Sequence, residues 1–558
     1  MASTLISPET NLLLHRREVL RAHFVADVAA GTARPFVLPF DLLGTVLLPI
    51  IYLCIPHTRR PWLYRLRFAV VGLMVWLNYN MMMTASSTNF AAAYMVGLLG
   101  VWGTLWGTTM LVWMRPQFDA ERVGRRLTGL AERQDLAAGR HGHLNGLVQV
   151  DENGGIHGNP KPGGCNSAAP DQTVAAALSA GYTYYWQSYP SDSPLSTRLG
   201  WAFDYATSIR GPGWSTTSIS SIPSFRRPSK PLSDSPVDLS SIPLRTLTGF
   251  SRYTTSLSFL AHRLRQMALA YIVFDFLSFA MQNDPYFILG PEHAAAHPLP
   301  PYLSSLHPLV LPIFRSSLVV TAIIASAHLA MGIAQLLHFC VSHSHPALIR
   351  LVGARSDIWQ YPDVCGGFAS NVLDYGLAGF WGGWWHQNFR ACFVAPANWL
   401  AQHGYLPRDR RHPVRRFAGA AIAFVLSGAL HAGGSFTSLS MGEARWWNPP
   451  VFFLLNLVGV SVQAAWDRVV PKEVRGGFPL WVRRAANLLF VWAWLHATQW
   501  LFIDDLCRDG LWLYEPVPFS VVRALGYGGP GDPAWRWDRY VLPRLWTGGR
   551  WWERGLAI

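Results

Sequence analysis

Phe90-Ala-Ala-Ala-Tyr-Met-Val-Gly-Leu-Leu-Gly-Val-Trp-Gly-Thr-Leu-Trp-Gly-Thr-Thr-Met-Leu-Val-Trp-Met114 runs for 25 residues without an Asp, Glu, Lys or Arg. A helix needs about 20 such residues to cross the roughly 30 Å hydrocarbon core of a bilayer. The same test finds Phe36–Ile55 and Phe68–Thr84 before this stretch. After it come Met267–Met281, Ser317–Val341, Phe417–His431, Val451–Trp466 and Ala485–Ile503. Leu373–Leu400 is also apolar, but Gly, Trp, His and Arg interrupt it. The expectation is an all-α polytopic membrane protein with about eight transmembrane helices plus one broken or re-entrant segment. Irregular backbone survives at membrane depth only inside protein or beside a water-filled cavity, so the broken segment is where a site is expected.

Composition agrees. Only 14% of the 558 residues are charged, against roughly 25% in soluble proteins, and 50% are hydrophobic. So few charges exclude a cytosolic enzyme and a disordered chain. The net charge is +14, carried almost wholly by Arg, and these residues sit in short loops beside the apolar blocks. That placement favours a membrane face over nucleic acid, for which no binding signature is present. The six cysteines are scattered without metal or disulfide spacing and read as small unpaired apolar residues.

Loop charge predicts the topology. Arg59, Arg60, Arg65 and Arg67 fill the first loop, whereas 85–89 carries no charge. Arg115, Arg122, Arg125 and Arg126 follow the third span, and 282–308 has two acids and no Lys or Arg. Basic runs precede both Phe417 and Ala485. This alternation places the basic loops in the cytoplasm. Arg16, Arg17 and Arg21 disagree with it, and an N-terminal amphipathic segment over 1–35, resting on the membrane, would account for them. The first three spans occupy 36–114. The interval 115–266 is too polar to span: 139–171 and 215–239 read as disordered inserts, and 199–214 as a short motif helix closed by Gly-Pro-Gly. Residues 267–503 form the membrane-embedded core, and 504–558 the C-terminal tail.

Chemistry concentrates in two places. Phe380-Trp-Gly-Gly-Trp-Trp-His-Gln-Asn-Phe-Arg390 sets a His, two amides and an Arg among large aromatic rings. Phe424-Val-Leu-Ser-Gly-Ala-Leu-His431 ends an apolar helix on an imidazole. Polar groups at membrane depth are costly without partners and mark functional positions, although a histidine satisfied by a backbone carbonyl is the plain alternative. His496 reads as an interhelical hydrogen-bonding residue. His343 and His345 lack an acid or Cys at ligand spacing, so no metal site is expected. Asp374 could orient a histidine or cap its segment. No nucleophile elbow, P-loop or dinucleotide fingerprint occurs, leaving histidine acid–base chemistry as the economical enzyme reading.

These two stretches resemble signatures of the wax-synthase-like branch of the membrane-bound O-acyltransferases. Residues 380–390 are similar to F-W-G-R-x-W-H-Q-x-F-R, and 424–431 to F-x-x-S-G-x-x-H, where that family's catalytic histidine lies. Asp204 with Arg210-Gly-Pro-Gly-Trp214, Pro362–Gly366, and Leu511-Trp-Leu-Tyr-Glu-Pro-Val-Pro518 resemble three further elements. The combination is most similar to fungal acetyltransferases of terpenoid and meroterpenoid biosynthesis. Gly383 and Trp384 stand where the family has basic residues, and Pro-Asp-Val-Cys-Gly replaces its Pro-Pro-Leu-Phe-Gly.

The resemblance implies transfer of an acetyl group from acetyl-CoA, a co-substrate with no tightly bound cofactor, to a hydroxyl. His431 would be the general base, and His386 would hydrogen-bond the carbonyl oxygen or the alcohol. Gln387 and Asn388 are secondary candidates for that role. Trp381, Trp385 and Ser427 would line the acceptor pocket, and Arg390 would help hold the coenzyme. The implied partners are the lipid bilayer, acyl-CoA and an apolar alcohol, in the endoplasmic reticulum membrane. Two alternatives remain open: a long-chain wax-ester synthase, and a proton-coupled transporter, whose intramembrane histidines would look the same.

Overall fold

The computed structural model describes residues 8–127, 182–216, 232–237, 244–246, 248–345, 355, 357–529 and 532–558. Six helices among the described residues are long and apolar enough to cross a membrane: Pro61–Thr84, Phe90–Trp113, Ser256–Gln282, Val310–Ser344, Pro413–Thr437 and Asn448–Val469. The protein is a polytopic, all-α membrane protein with only short strands.

Two of the eight expected spans lie outside these six for local reasons. Phe36–Ile55 becomes a shorter apolar helix, Phe40–Leu53, entered through an extended strand, Val37–Leu38. The final span divides into Leu480–Thr498 and Trp500–Arg508, joined at Gln499. Elsewhere helices outrun their apolar windows, as where Ser256–Gln282 adds nearly three polar turns before Met267.

Helix starts follow side-chain chemistry. Asn89 accepts from the Ala91 and Ala92 amides at 3.1 and 3.2 Å, and Thr255 accepts from the Ser258 amide at 3.1 Å. His412 accepts from the Val414 amide ahead of Pro413, whose fixed φ suits the first helical position.

Burial ranks the helices. Of the most apolar window in 90–113, 56% is buried, against 17% in 61–84, so the first is central and the second faces lipid. The central helix crosses 413–437 at glycine: a Cβ on Gly97 would fall 1.7 Å from the Gly433 carbonyl oxygen. Small residues at such a crossing let two membrane helices approach backbone to backbone.

The broken segment is broken indeed. It runs as wide turns through 369–373 and 380–384, kinks at Gly376 (φ 58°, ψ −138°), leaves helical geometry over 385–389, and resumes as Arg390–Gln402. Gln463 on the neighbouring helix repairs the kink. Its Oε1 accepts from the Leu377 and Ala378 amides at 2.9 and 3.3 Å, and its Nε2 donates to the Tyr375 carbonyl at 2.8 Å. One side chain thus satisfies backbone that lipid could not.

The N-terminal helix, Pro8–Ala30, docks one side onto the protein. Leu13, Leu20 and Phe24 pack against Phe90, Ile288 and Leu513. Its arginines are neutralised: Arg16 by Glu443 (2.8 Å), Arg17 by Glu515 (2.8 Å) and Arg21 by Asp538 (2.7 Å). Paired this way they add no net positive charge, which removes their conflict with the loop-charge pattern. The C-terminal tail is ordered against the same end, where Val37–Leu38, Arg554–Ala557 and Arg544–Thr547 form a three-stranded sheet.

Within 115–266, the motif helix is Leu195–Thr207, anchored where Trp106 Nε1 donates to the Ala206 carbonyl at 2.7 Å. The insert 139–171 lies outside the described residues, as does 217–231 of the second insert.

Candidate active site

His431 lies near the C-terminal end of the 413–437 helix and is half-buried. Phe453 stacks on it at 5.3 Å and 14°, and Phe502 meets it edge-on at 5.0 Å. The Tyr94 hydroxyl, from the central helix, lies 3.2 Å from Nδ1 and 3.4 Å from the His431 carbonyl oxygen. Gly434 makes room for that tyrosine, since a Cβ there would sit 2.5 Å from a Tyr94 ring carbon.

One turn further along the helix, Ser435 donates to Asp505 at 2.7 Å and Ser438 donates to Asp509 at 2.8 Å. The Arg445 amide also donates to Asp505, at 2.6 Å. Both acids are buried.

An aromatic wall connects His431 to the other histidine. Ring centroids run His431–Phe453 at 5.3 Å, Phe453–Trp381 at 5.6 Å, Trp381–Trp385 at 6.0 Å and Trp385–His386 at 5.0 Å. Trp381 is pinned by donating Nε1–H to Asn456 at 3.1 Å. His386 is half-buried.

The expected site residues divide into two groups. Gln387 braces the turn, its Nε2 donating to the Trp381 and Trp385 carbonyls at 3.3 and 2.5 Å. Arg390 does the same, donating to Gln387 Oε1 at 2.7 Å and to the Gly382 carbonyl at 2.5 Å. By contrast, His386 Nδ1 and Asn388 Oδ1 are buried with no hydrogen-bond partner among the described residues. These two retain capacity to bind something else. Ser427 is half-buried one turn before His431, on the same helix face.

Other polar candidates are accounted for. Asp374 pairs with Arg484 at 2.8 Å rather than with a histidine. His496 stacks on Trp492 and meets Gln499 at 3.4 Å, and His338 meets the Tyr361 hydroxyl at 2.7 Å. Among the described residues no three His, Cys, Asp or Glu side chains converge as a metal site.

Beside the membrane core, Asp204 is clamped by Arg355 at 2.7 Å and Arg122 at 3.0 Å. Burial alone would raise its carboxyl pKa, but the two guanidiniums outweigh it and hold the group below the usual carboxylate range. Arg210 donates to the Asp363 carbonyl and flanks a small cavity of about 20 Å³ walled by Trp106, Tyr205 and Trp214. The Asp204 and Arg210 motifs and the Pro362–Gly366 element therefore meet in space, behind the broken segment.

Tyr94, Phe453, Phe502, Asp505 and Asp509 were not singled out by sequence. Asp505 and Asp509 carried a usable signal, being acids at the edge of an apolar block one turn apart. Tyr94 carried none, because an aromatic inside an apolar helix looks like its neighbours.

Residues 361–455 match the model of the membrane bound O-acyl transferase family. Three fungal proteins are similar over part of their length. Acetyltransferase spyB of Aspergillus fumigatus is 31% identical over 144 residues, covering 23% of this chain and 24% of that protein. Acetyltransferase pyr8 of the same organism is 28% identical, over 27% and 35% of the two chains. Acetyltransferase nanB of Aspergillus nanangensis is 25% identical, over 33% and 43%. The match thus spans between about a quarter and less than half of the relatives' own length. No solved structure matches this chain. The matched stretch, 361–455, is the one that forms the broken segment and carries both His386 and His431, so the likeness to the membrane bound O-acyl transferase family falls on the site itself.

Proposed function

We propose that this protein is an acyl-CoA-dependent O-acyltransferase that moves an acetyl group from acetyl-CoA to a hydroxyl of a terpenoid or meroterpenoid intermediate of secondary metabolism, in the endoplasmic reticulum membrane. The observation that carries this reading is the half-buried His431, hydrogen-bonded through Nδ1 to Tyr94 and joined to His386 by a continuous aromatic wall. The names of the three relatives favour acetyl as the transferred group.

The chemistry follows from what each group can do. A hydroxyl is a weak nucleophile near neutral pH, so it needs a base as it attacks the thioester carbonyl. His431 takes that proton, a role worth about 10²–10⁴-fold in rate. Attack forms the ester C–O bond and puts negative charge on the former carbonyl oxygen. His386, through a ring N–H, can donate to that oxygen, and a preorganised donor there contributes roughly 3–4 kcal/mol; Asn388 Oδ1, an acceptor, is free to receive the alcohol O–H instead. Collapse of the intermediate breaks the C–S bond. The departing thiolate recovers the proton from His431, leaving the ester and free coenzyme A.

Trp381, Trp385, Phe453 and Phe502 supply an apolar, water-poor wall for an oily acceptor. The Arg clusters of the basic loops suit the coenzyme's phosphates, with Arg390, which also braces the turn, as a further anchor.

The test incubates microsomes carrying the protein with acetyl-CoA and a panel of terpenoid alcohols, beside His431→Ala. Acetyl ester from the wild type alone supports the reading. Product formed equally by both proteins overturns the base assignment, and activity only with long-chain acyl-CoA overturns the acetyl assignment.

A further inference from the structure

Tyr94 and His431 lie 337 residues apart in the chain, yet the phenol oxygen reaches two atoms of one histidine. A hydroxyl has one proton to donate, so the arrangement has two forms. If Tyr94 donates to Nδ1, the imidazole carries its own proton on Nε2 and that nitrogen is no base. If Tyr94 instead donates to the His431 carbonyl at 3.4 Å, its lone pair accepts Nδ1–H at 3.2 Å, and Nε2 is left with its lone pair free. We infer that Tyr94 is the positioning residue of the site: it holds His431 in the Nδ1–H tautomer, with Nε2 facing the acceptor alcohol. The inference rests on the acyltransferase reading of His431.

The fold supports this in three independent ways. Tyr94 is itself buried, so water does not compete for its hydroxyl. Gly434 and the Gly97–Gly433 crossing bring the central helix close enough for the phenol to reach the ring. Among the described residues no carboxylate is hydrogen-bonded to the His431 ring: Asp505 and Asp509, the buried acids beyond it, are engaged by Ser435, Ser438 and the Arg445 amide. Orientation by a neighbour is how a general-base histidine is generally kept in the productive tautomer, and here the neighbour is a phenol.

Tyr94→Phe removes the hydroxyl and keeps the ring that packs on Gly434. The purified protein is compared with wild type by steady-state kinetics and by ¹⁵N NMR of labelled histidine, with the His431 signal identified by its loss in His431→Gln. In Tyr94→Phe, kcat falls about 10-fold or more, while KM for both substrates stays within about twofold. The His431 signal moves from the Nδ1–H tautomer to a mixture. Gly434→Ala, which pushes the ring away without deleting its hydroxyl, gives the same two changes. Wild-type kcat and an unchanged tautomer ratio in both variants overturn the inference. If the wild type transfers no acyl group but Tyr94→Phe still shifts the tautomer, the positioning role stands and the proposed function fails.

Discussion

Gly97 and Gly433 meet backbone to backbone, and this one crossing sets where Tyr94 lies relative to His431. Gly97 and Tyr94 share a helix, as do Gly433 and His431, each pair within one turn. Gly97→Ala places a methyl 1.7 Å from a carbonyl oxygen, which only separation of the helices relieves. The expected cost is about 1–3 kcal/mol, with a lower melting temperature in detergent and reduced turnover. Unchanged melting would show that the crossing yields without strain.

His386→Ala should reduce kcat by about 10²–10³-fold, the usual result of deleting a donor at a developing oxyanion. Asn388→Ala, which removes an acceptor for the alcohol O–H rather than an oxyanion donor, should act in the same direction but more weakly. Melting temperatures should stay near wild type, since neither His386 Nδ1 nor Asn388 Oδ1 has a partner to lose. Equal catalytic rates in wild type and both variants would remove these groups from the reaction.

Gln463→Ala leaves the Leu377 amide and the Tyr375 carbonyl without their side-chain partner at the Gly376 kink. A backbone group left unsatisfied where lipid replaces water costs about 1–3 kcal/mol. The expected outcome is lowered thermal stability and faster hydrogen exchange confined to 374–384. Uniform exchange across the chain would argue that the kink is held by something else.

Asp204→Asn leaves Arg122 and Arg355 facing each other without the carboxylate between them. Breaking a buried pair of this kind costs about 3–5 kcal/mol. The pH sign follows from the lowered folded pKa of Asp204 and, likewise, of Glu515, which burial would raise but Arg17 and Arg536 pull down. Such carboxylates contribute stability that is complete above their unfolded value, about 4, and is lost as pH falls through the lower folded value. Melting temperature should therefore be level from neutral pH to about 5 and fall below about 4, with a shallower fall in Asp204→Asn. An acid limb of identical slope in both proteins would contradict the clamp.

Much of this was legible before any coordinates. Apolar length is a local property, so Phe90–Met114 announced a span. His386 and His431 stood out because an imidazole among Trp, Phe and Leu has an evident cost. The count of spans was not legible to the same degree. Phe36–Ile55 is too short once its first residues extend into a strand, and 485–503 bends at Gln499; both depend on what the backbone meets. That Gln387 and Arg390 brace the local turn was not legible, because their residue types point equally to substrate binding.

By itself, then, the amino-acid order determined a membrane protein, a broken segment and two histidines at depth, because each follows from composition within a few turns of chain. Only the tertiary structure decided that Tyr94 reaches His431, that Phe453 and Trp381 wall the path to His386, and that Glu443, Glu515 and Asp538 cancel the N-terminal arginines. Those pairings join residues up to hundreds of positions apart. They arise from which glycines let helices touch and which acids the folded tail brings near, and neither is written in any one window of sequence.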